Sequence, residues 1–272
     1  MTEPTDSDTP LAAHLLSLAA HFTRQQDALS QAPLYSTLFA NLGPHLHRHL
    51  AGTTELAEHA HHVRTVVDTH RKADLAHDVY AASRVTQLAF LASNADSLLT
   101  TAIGRYESAG PGSRDEEEEL LRQVAEPVRQ ARELIRHAAG DAVDAAADFA
   151  RSASRRRRSA TASPHGPPVR GARLSNAQHT ALRAVARGLV TVREDVAVVF
   201  SGTHGLSVTT LRSLRTRDLT EHHPFAPATA AHRVALSPRG RLVLAATLAS
   251  PSGTALDPRP ATASPKAVAH AR

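Results

Sequence analysis

The segment 207–219 combines a helix cap, an apolar stripe and a polar face of hydroxyl and guanidinium groups. Ser207 can cap a helix, and Val208, Leu211 and Leu214 recur at helical spacing, so one stripe of this helix is apolar. The opposite face carries hydroxyl and guanidinium groups, which hydrogen-bond to phosphate oxygens and base edges. The candidate contact residues are Thr209, Thr210, Arg212, Ser213, Thr216 and Arg217. This chemistry predicts contact with double-stranded DNA.

The residues before this helix predict a helix followed by strand structure. Ser175 and Gln178 form a capping box, in which the serine oxygen accepts from a backbone amide and the glutamine side chain reaches back. The stripe that this helix buries consists of Ala181, Leu182, Val185 and Leu189. The run 191–200 is rich in valine, which favours a strand or hairpin over a helix. Gly202 and Gly205 then bracket a turn.

The residues after the segment 207–219 predict a short strand and a last helix. The strand is expected at 232–236. Ser237 and Pro238 stand at the N-cap and first position of the helix, where these residue types are favoured. Its apolar side is predicted to consist of Leu242, Leu244 and Leu248.

Two pieces of this region resemble winged helix-turn-helix transcription regulators of the MarR and PadR kind. The sequence TLRSLRTRDL at 210–219 is similar to a recognition helix and its exit. The sequence VALSPRGR at 234–241 is similar to the strand and helix start that follow the wing. The resemblance implies a winged-helix fold that places the recognition helix in a major groove. It also implies that Arg233, the first basic residue after the presumed wing, contacts DNA.

The region departs from those families at three places. Residues 196–200 favour a strand where the families have a short helix. Asp218 stands where a glycine commonly ends the recognition helix, although aspartate tolerates the left-handed conformation better than most residues. The presumed wing at 222–231 has no arginine or lysine, so it neutralises little phosphate charge.

The charge of the chain is divided between its two halves. Residues 1–150 contain 12 basic and 21 acidic residues, a net charge of −9, whereas residues 151–272 contain 19 and 5, a net charge of +14. The C-terminal half is therefore the one that faces a polyanion. A run of four arginines, Arg155, Arg156, Arg157 and Arg158, opens this half. The segment 151–173 around it is expected to be a disordered linker or a frayed helix end. The run itself is interpreted either as a phosphate-binding arm or as a solvated linker.

The N-terminal half has the pattern of packed helices. Leu11, Leu15, Leu18 and Phe22 form a helical stripe, and a long helical tract is expected at 54–106 with an interruption near Asn94. A second capping box, Ser113 to Glu116, starts a helix that Pro127 bends. Its seam, Leu121, Val124, Val128, Ala131, Ile135, Ala138 and Ala142, alternates by three and four, as in antiparallel or coiled-coil packing. These patterns predict a bundle of about four helices, which can also form a homodimer.

Composition excludes several classes of function. The chain has no cysteine, so it has no disulfide framework and no thiolate nucleophile. No phosphate-binding glycine loop, nucleophile elbow or zinc-protease motif is present. The N-terminus has no pattern of a signal peptide, and no apolar run approaches 18 residues. These observations predict a cytoplasmic protein that is neither an enzyme nor bound to a membrane.

Histidines are numerous, and eight of the 18 lie between His45 and His77. Glu58 with His61, and Asp74 with His77, have the spacing of ligand pairs in di-iron bundles, but both pairs lie on one helical tract. Glu133 is the only further partner expected inside the later seam. Histidines on the surface explain this pattern more simply, so we expect no metal site and no cofactor.

The sequence thus predicts a mainly α protein with an N-terminal helical bundle and a small C-terminal winged-helix (α+β) domain. The expected divisions are a disordered lead at 1–9, the bundle at 10–150, a basic linker at 151–173, the winged-helix domain at 174–249 and a disordered tail at 250–272. The favoured function is DNA binding by a transcriptional regulator or plasmid-type accessory factor. The alternatives are an adaptor that uses both parts to bind protein and, third, a metal-binding bundle.

Overall fold

The N-terminal part is a bundle of helices. A computed structural model describes residues 8–31, 42–73, 79–109, 113–160, 174–193, 196–199, 206–226 and 231–248. Within this part of the chain the bundle has five helices rather than about four. They are α1 (Asp8–Ser30), α2 (Leu42–Ala73), α3 (Val79–Ser108), α4 (Arg114–Ile135) and α5 (Ala138–Ala160). The expected stripe of α1 is confirmed, since Leu11, Leu15, Leu18 and Phe22 are all buried.

The tract predicted at 54–106 is two helices that pack side by side. Hydrogen bonds join Thr54 to Asp96 and His61 to Ser93, at 2.7 Å and 2.9 Å. Because the residue numbers rise along α2 as they fall along α3, the two helices are antiparallel. Asn94 lies inside α3, so the expected interruption there is wrong. Helix α2 ends at Ala73 and α3 begins at Val79, and residues 74–78 lie outside the described residues.

Helices α4 and α5 correspond to the second predicted helical run. The N–H of Ser113 donates to Glu116 Oε2 at 2.7 Å, so the capping interaction at the start of α4 is confirmed. Pro127 lies within α4 as expected. The run is broken by a turn at Arg136 and His137, but its seam continues into α5, and Val124, Val128, Ala131, Ile135, Ala138 and Ala142 are buried within this one chain. Because the seam is buried within one chain, it does not offer a surface to a second copy of the protein. Homodimerisation stays a prediction.

Helix α5 extends further than the sequence indicated. It continues to Ala160, and Ser152 and Ala153 are buried along it. A disordered linker therefore does not begin at residue 151, and residues 151–160 continue the helix, which agrees with the other expectation, a helix end. The rest of the expected linker, 161–173, lies outside the described residues, as do 1–7 of the expected lead and the expected tail at 250–272.

The C-terminal part combines three helices with an antiparallel sheet. Its elements are α6 (Asn176–Ala186), β1 (Val190–Arg193), β2 (Val196–Val199), α7 (Val208–Thr216), β3 (Thr220–Ala226), β4 (Ala231–Leu236) and α8 (Pro238–Leu248). The strands lie in the order β2-β1-β4-β3. Strands β1 and β2 pair antiparallel, so the prediction of strand structure rather than a helix is confirmed for the described residues of the run 191–200. Residues 222–226 were expected in the wing loop. They belong instead to strand β3, which pairs with β4.

The two parts of the chain pack on each other. Helices α6 and α8 contact both α1 and α5 of the bundle. Leu244 and Leu248 of α8 are buried in the same apolar core as the bundle residues, whereas Leu242, expected on that side, is 55% exposed. One continuous core therefore joins the parts, and their relation is closer than that of two domains on a flexible linker. Among the described helices none is both long enough and apolar enough to span a bilayer.

Candidate nucleic-acid interface

Helix α7 is short and is anchored by two leucines. Leu211 and Leu214 are buried, so the apolar stripe predicted for this helix is confirmed. Ser207 is the N-cap residue, although its hydroxyl makes no capping hydrogen bond. The helix ends at Thr216, and two residues later Asp218 adopts the left-handed conformation with φ of 57°. The N–H of Leu219 then donates to the Leu214 carbonyl at 3.0 Å, which closes the end of the helix.

The polar face of α7 divides into exposed and half-buried residues. Of the predicted contact residues, Thr209, Arg212, Thr216 and Arg217 are exposed. Thr210 and Ser213 are half-buried. The Ser213 hydroxyl accepts a hydrogen bond from Gln178 Nε2 at 3.0 Å. Ser213 therefore helps to hold α7 against the start of α6, a role that the sequence did not suggest.

Gln178 connects the start of α6 to this packing. Its backbone N–H donates to Ser175 Oγ at 3.2 Å, and its Oε1 accepts from the Ser175 N–H at 3.0 Å, which confirms the predicted capping box. The same side chain also donates to Ser213. One residue thus caps α6 and fixes α7 beside it.

Arg215 is an exposed basic residue of α7 that the sequence analysis missed. It follows Arg212 by three positions, so the two side chains lie on the same side of the helix. That spacing is the signal in the sequence by which Arg215 could have been found. With Arg217, the helix and its end present three exposed arginines against one exposed carboxylate, that of Asp218.

Strand β3 extends the site beside α7. His222 of β3 packs near His232 of β4, with ring centroids 6.3 Å apart. Burial, and then the charges of Arg215 and neighbouring histidines, lower the pKa of His222 below its usual value. The His222 ring is therefore uncharged at neutral pH, and the positive charge near α7 comes from the arginines.

Arg233 has a different place from the one predicted. Its side chain is 11% exposed and forms an ion pair with Asp27 of α1, with Nη2 2.5 Å from Oδ1 and Nε 2.8 Å from Oδ2. Its Nη1 donates to the Gly188 carbonyl, and its guanidinium carbon lies 4.3 Å from the centre of the Phe225 ring. Because a guanidinium in this setting is covered by the bundle, Arg233 is not available to contact DNA. It fastens β4 to α1.

The arginine run of the expected linker lies at the end of α5. Arg155 is exposed and donates to Ser152 Oγ at 2.9 Å, and Arg156 is half-buried. Arg157 and Arg158 belong to the same helix, but their side chains lie outside the described residues. Helix α6 contacts both α5 and α7. The two groups of arginines lie on different elements, α5 for one and α7 for the other.

Two further arginines, Arg183 of α6 and Arg187 at its C-cap, lie where α6 meets α5. Arg187 pairs with Asp144 of α5, with Nη2 2.5 Å from Oδ1. Arg183 is half-buried, and burial followed by the charge of Arg187 lowers its pKa below the usual value. The guanidinium groups of Arg183 and Arg187 carry two positive charges and Asp144 carries one negative charge. The α5–α6 contact therefore keeps a net positive charge. Neither Arg183 nor Arg187 was predicted from the sequence to belong to a site.

The bundle offers no metal centre in the part of the chain that is described. No group of three or more His, Asp or Glu side chains comes together there to hold an ion. His61 of the suggested Glu58 pair instead makes its contact with Ser93. Asp74 and His77 lie outside the described residues.

Comparison with known proteins adds no identification. No model of a known protein family matches this chain, and neither a curated protein nor a solved structure matches it. A functional assignment depends on the chain's own geometry and charge.

Proposed function

We propose that this protein binds double-stranded DNA through the exposed face of α7. The observation that carries the proposal is the placement of Arg212, Arg215 and Arg217 on the outside of a helix that Leu211 and Leu214 anchor from the inside. Guanidinium groups pair with phosphates and with the edge of guanine, and a helix of this size fits a major groove. The acceptor and donor groups of Thr209 and Thr216 supply further contacts on the same face.

We also propose that residues 174–248 form a winged-helix module. The support is the order of elements, in which α6 and β1 precede α7, and the β3–β4 hairpin follows it. Strand β1 pairs with β4, so the hairpin is attached to the rest of the module through its second strand. The hairpin of β1 and β2 takes the place of the short helix that MarR-like and PadR-like regulators carry before the recognition helix. The β3–β4 hairpin takes the place of the wing.

A second set of arginines supports the same function. Arg155 and Arg156 at the end of α5, with Arg183 of α6 and Arg187 at its C-cap, add basic residues on the two elements through which the bundle meets the module. Their side chains are suited to phosphates, which position a protein on DNA without distinguishing sequences. In this proposal α7 contacts bases, whereas the α5 and α6 arginines contact the backbone. Such a division of roles is the one expected of a transcriptional regulator or a plasmid-type accessory factor.

The test uses the full chain and a duplex selected from a random pool. The double variant Arg212→Ala, Arg217→Ala is compared with the parent by fluorescence anisotropy over a range of salt concentrations. We expect each arginine that contacts a base to contribute about 1–3 kcal/mol, so the double variant binds at least tenfold more weakly. Alanine is a good helix former, so α7 keeps its helix.

The matched control is the double variant Arg129→Ala, Arg136→Ala. Both residues lie in exposed ion pairs on the bundle, with Glu126 and Glu133, so this variant removes the same charge elsewhere. Exposed pairs contribute about 0–1 kcal/mol each, and we expect affinity for DNA within about twofold of the parent. A third variant, Arg155→Ala, Arg156→Ala, should weaken binding to all sequences alike and reduce its dependence on salt.

If the α7 double variant binds DNA as well as the parent at every salt concentration, the proposed role of α7 is wrong. The adaptor alternative then becomes the better account. Partners captured by the full chain after nuclease treatment would be the evidence for it.

A further inference from the structure

A cleft lies where the bundle meets the C-terminal part. It contains about 480 Å³ of empty space, part of which is open to solvent. Helix α1 forms one wall, and the end of α6, strands β3 and β4 and the first turn of α8 form the rest. Leu16, Ala20, Val185 and Val234 supply apolar lining. A cleft between two packed parts that combines an apolar lining with polar and charged groups is a common setting for a small ligand.

Basic residues outnumber acidic ones in this cleft. Arg24, Arg233 and Arg241 line it, and Glu221 is the acidic residue among the lining residues. The charge of Arg233 is matched by its ion pair with Asp27. The carboxylate of Glu221 lies 3.1 Å from His223 Nε2. Two guanidinium groups, those of Arg24 and Arg241, thus share the cleft with one carboxylate.

Arg24 and Arg241 are not neutralised by close ion pairs. Among the described residues no carboxylate lies within ion-pair distance of either side chain, and Arg241 Nη1 donates instead to the Leu236 carbonyl at 3.0 Å. Burial lowers the pKa of Arg241. Glu221 is the next largest influence and raises this pKa, and the like charge of Arg24 lowers it by less. Two like charges in a partly buried cleft repel each other, and an anion between them would relieve that repulsion.

We propose that this cleft binds a small organic carboxylate with a short apolar chain. The carboxylate pairs with the guanidinium groups of Arg24 and Arg241, whose planar donors suit a carboxylate. The chain lies against the apolar residues of α1 and α6. Arg24, Arg233 and Arg241 carry three positive charges, and Glu221 and Asp27 carry two negative charges. A ligand with one negative charge balances the positive charge that remains.

Occupation of the cleft would act on the end of α7. Arg241 lies in the first turn of α8, whose N-cap residue Ser237 donates from Oγ to the Asp218 carbonyl at 2.5 Å. The N–H of Ser237 also donates to the Leu219 carbonyl at 3.2 Å. A ligand that holds Arg241 to Arg24 would therefore connect α1, through α8, to the turn that ends α7. This coupling rests on the proposed DNA-binding function, whereas the binding of the carboxylate does not.

The test measures the thermal unfolding of the full chain with hexanoate, at constant ionic strength. We expect Tm to rise and then saturate with hexanoate, to rise less with acetate at equal concentration, and not to change with hexanol. In Arg24→Gln the concentration of hexanoate needed for half of the rise should increase at least tenfold. Arg24 is exposed, so this variant is expected to fold. Arg48→Gln, an exposed arginine of α2 away from the cleft, is the control and should respond as the parent does.

Three results would overturn the proposal. An equal response of the parent and Arg24→Gln would show that the anion binds elsewhere. A response to inorganic phosphate that depends on Arg24, without one to hexanoate, would exclude a carboxylate with an apolar chain. Equal responses to acetate and hexanoate would exclude the apolar contact. The coupling is measured separately, as the change in DNA affinity at saturating hexanoate; an unchanged affinity rejects the coupling and leaves the binding result as it stands.

Discussion

At the scale of single residues, the contact between α1 and α2 includes an unusual pair of histidines. His21 Nδ1 lies 3.3 Å from His59 Nδ1, and the two ring centres are 5.5 Å apart. Burial, the charge of Arg24 and the proximity of His59 lower the pKa of His21 to about 4. The pKa of His59 is also lowered, first by burial and then by His62, His14 and Arg24. Both rings are therefore neutral at pH 7, and the helices pack through them in that state.

This pair predicts that the protein loses stability as the pH falls from about 6.5 towards 4. In the unfolded chain His21 takes up a proton near pH 6.5, whereas in the folded protein it does so only near pH 4. Protons thus bind preferentially to the unfolded state in this interval. We expect His21 to account for about 1–2 kcal/mol of the loss, after allowance for the part of its ring that water reaches. Urea unfolding at pH 7 and pH 4.5 measures it.

The control for this prediction is His21→Gln, which keeps a polar side chain but does not titrate. Its free energy of unfolding should fall less between the two pH values than that of the parent. His49, His179 and His222 also have lowered pKa values, chiefly through burial, so part of the pH dependence remains. An identical fall in the variant and the parent would mean that His21 is not the titrating group.

At the scale of elements, the first turn of α8 is packed directly onto the end of α7. Ser237 caps α8, because its Oγ accepts from the Gly240 N–H at 2.9 Å. Gly240 itself is buried, and a Cβ added to it would collide with the carbonyl of Leu219. The close approach of these two backbones requires glycine at this position. The position of α7 thus depends on α8 as well as on α6.

Replacing Gly240 with alanine is therefore expected to destabilise the protein by about 3 kcal/mol, because the backbone at Leu219 cannot move aside easily. The matched substitution is Gly104→Ala in α3, where an added Cβ meets nothing within 4 Å. There alanine should stabilise the protein by about 0.5–1 kcal/mol through its higher helix propensity. Urea denaturation of the two variants beside the parent gives both values. A Gly240→Ala variant as stable as the parent would contradict the packing of α8 on α7.

At the scale of the whole molecule, the bundle and the C-terminal part share one core. Leu182 and Leu214 belong to the same buried cluster as Phe22 and Phe149 of the bundle. The ion pair of Arg233 with Asp27 crosses the same contact. A C-terminal part of this size buries little apolar surface when it stands alone. Its stability is therefore expected to depend on the bundle.

We predict that a fragment containing only residues 174–248 does not fold cooperatively. Removal of the bundle would expose the inner face of α6 and α8, and it would leave Arg233 without its carboxylate. Thermal melts followed by circular dichroism should show no sigmoidal transition for the fragment and one for the full chain. A sigmoidal melt of the fragment would show that the shared core is not required. For this reason the DNA-binding tests use the full chain.

The elements nearest to the candidate interface were largely predictable from sequence. Three features were expected and are present: the capping box at Ser175, strand structure within the run 191–200, and the buried positions Leu211 and Leu214. Each depends on residues within about ten positions of one another, where capping geometry and periodicity act. The left-handed conformation of Asp218 likewise follows from its own side chain and position.

The features that were mispredicted depend on residues far apart in the chain. Arg233 was expected to contact DNA because basic residues near a wing usually do, but its partner Asp27 lies at the other end of the protein. The separation of α2 from α3 and the helical continuation of α5 past residue 150 are settled by packing against other helices. A composition rich in arginine cannot distinguish a solvated arm from a helix end that another element supports.

Local signals in the sequence were enough to place the starts of α4, α6, α7 and α8, most of the buried positions of these helices and the basic half of the chain, because capping, side-chain periodicity and charge are local or additive properties. Only the tertiary structure decided that α7 is held by α6 and α8, that Arg233 is internal and that Arg24 and Arg241 line one cleft. Those facts come from the folding of α1 against a sheet about 200 positions later in the chain. Contacts of this kind are fixed by the joint packing of all elements, and no single segment encodes them.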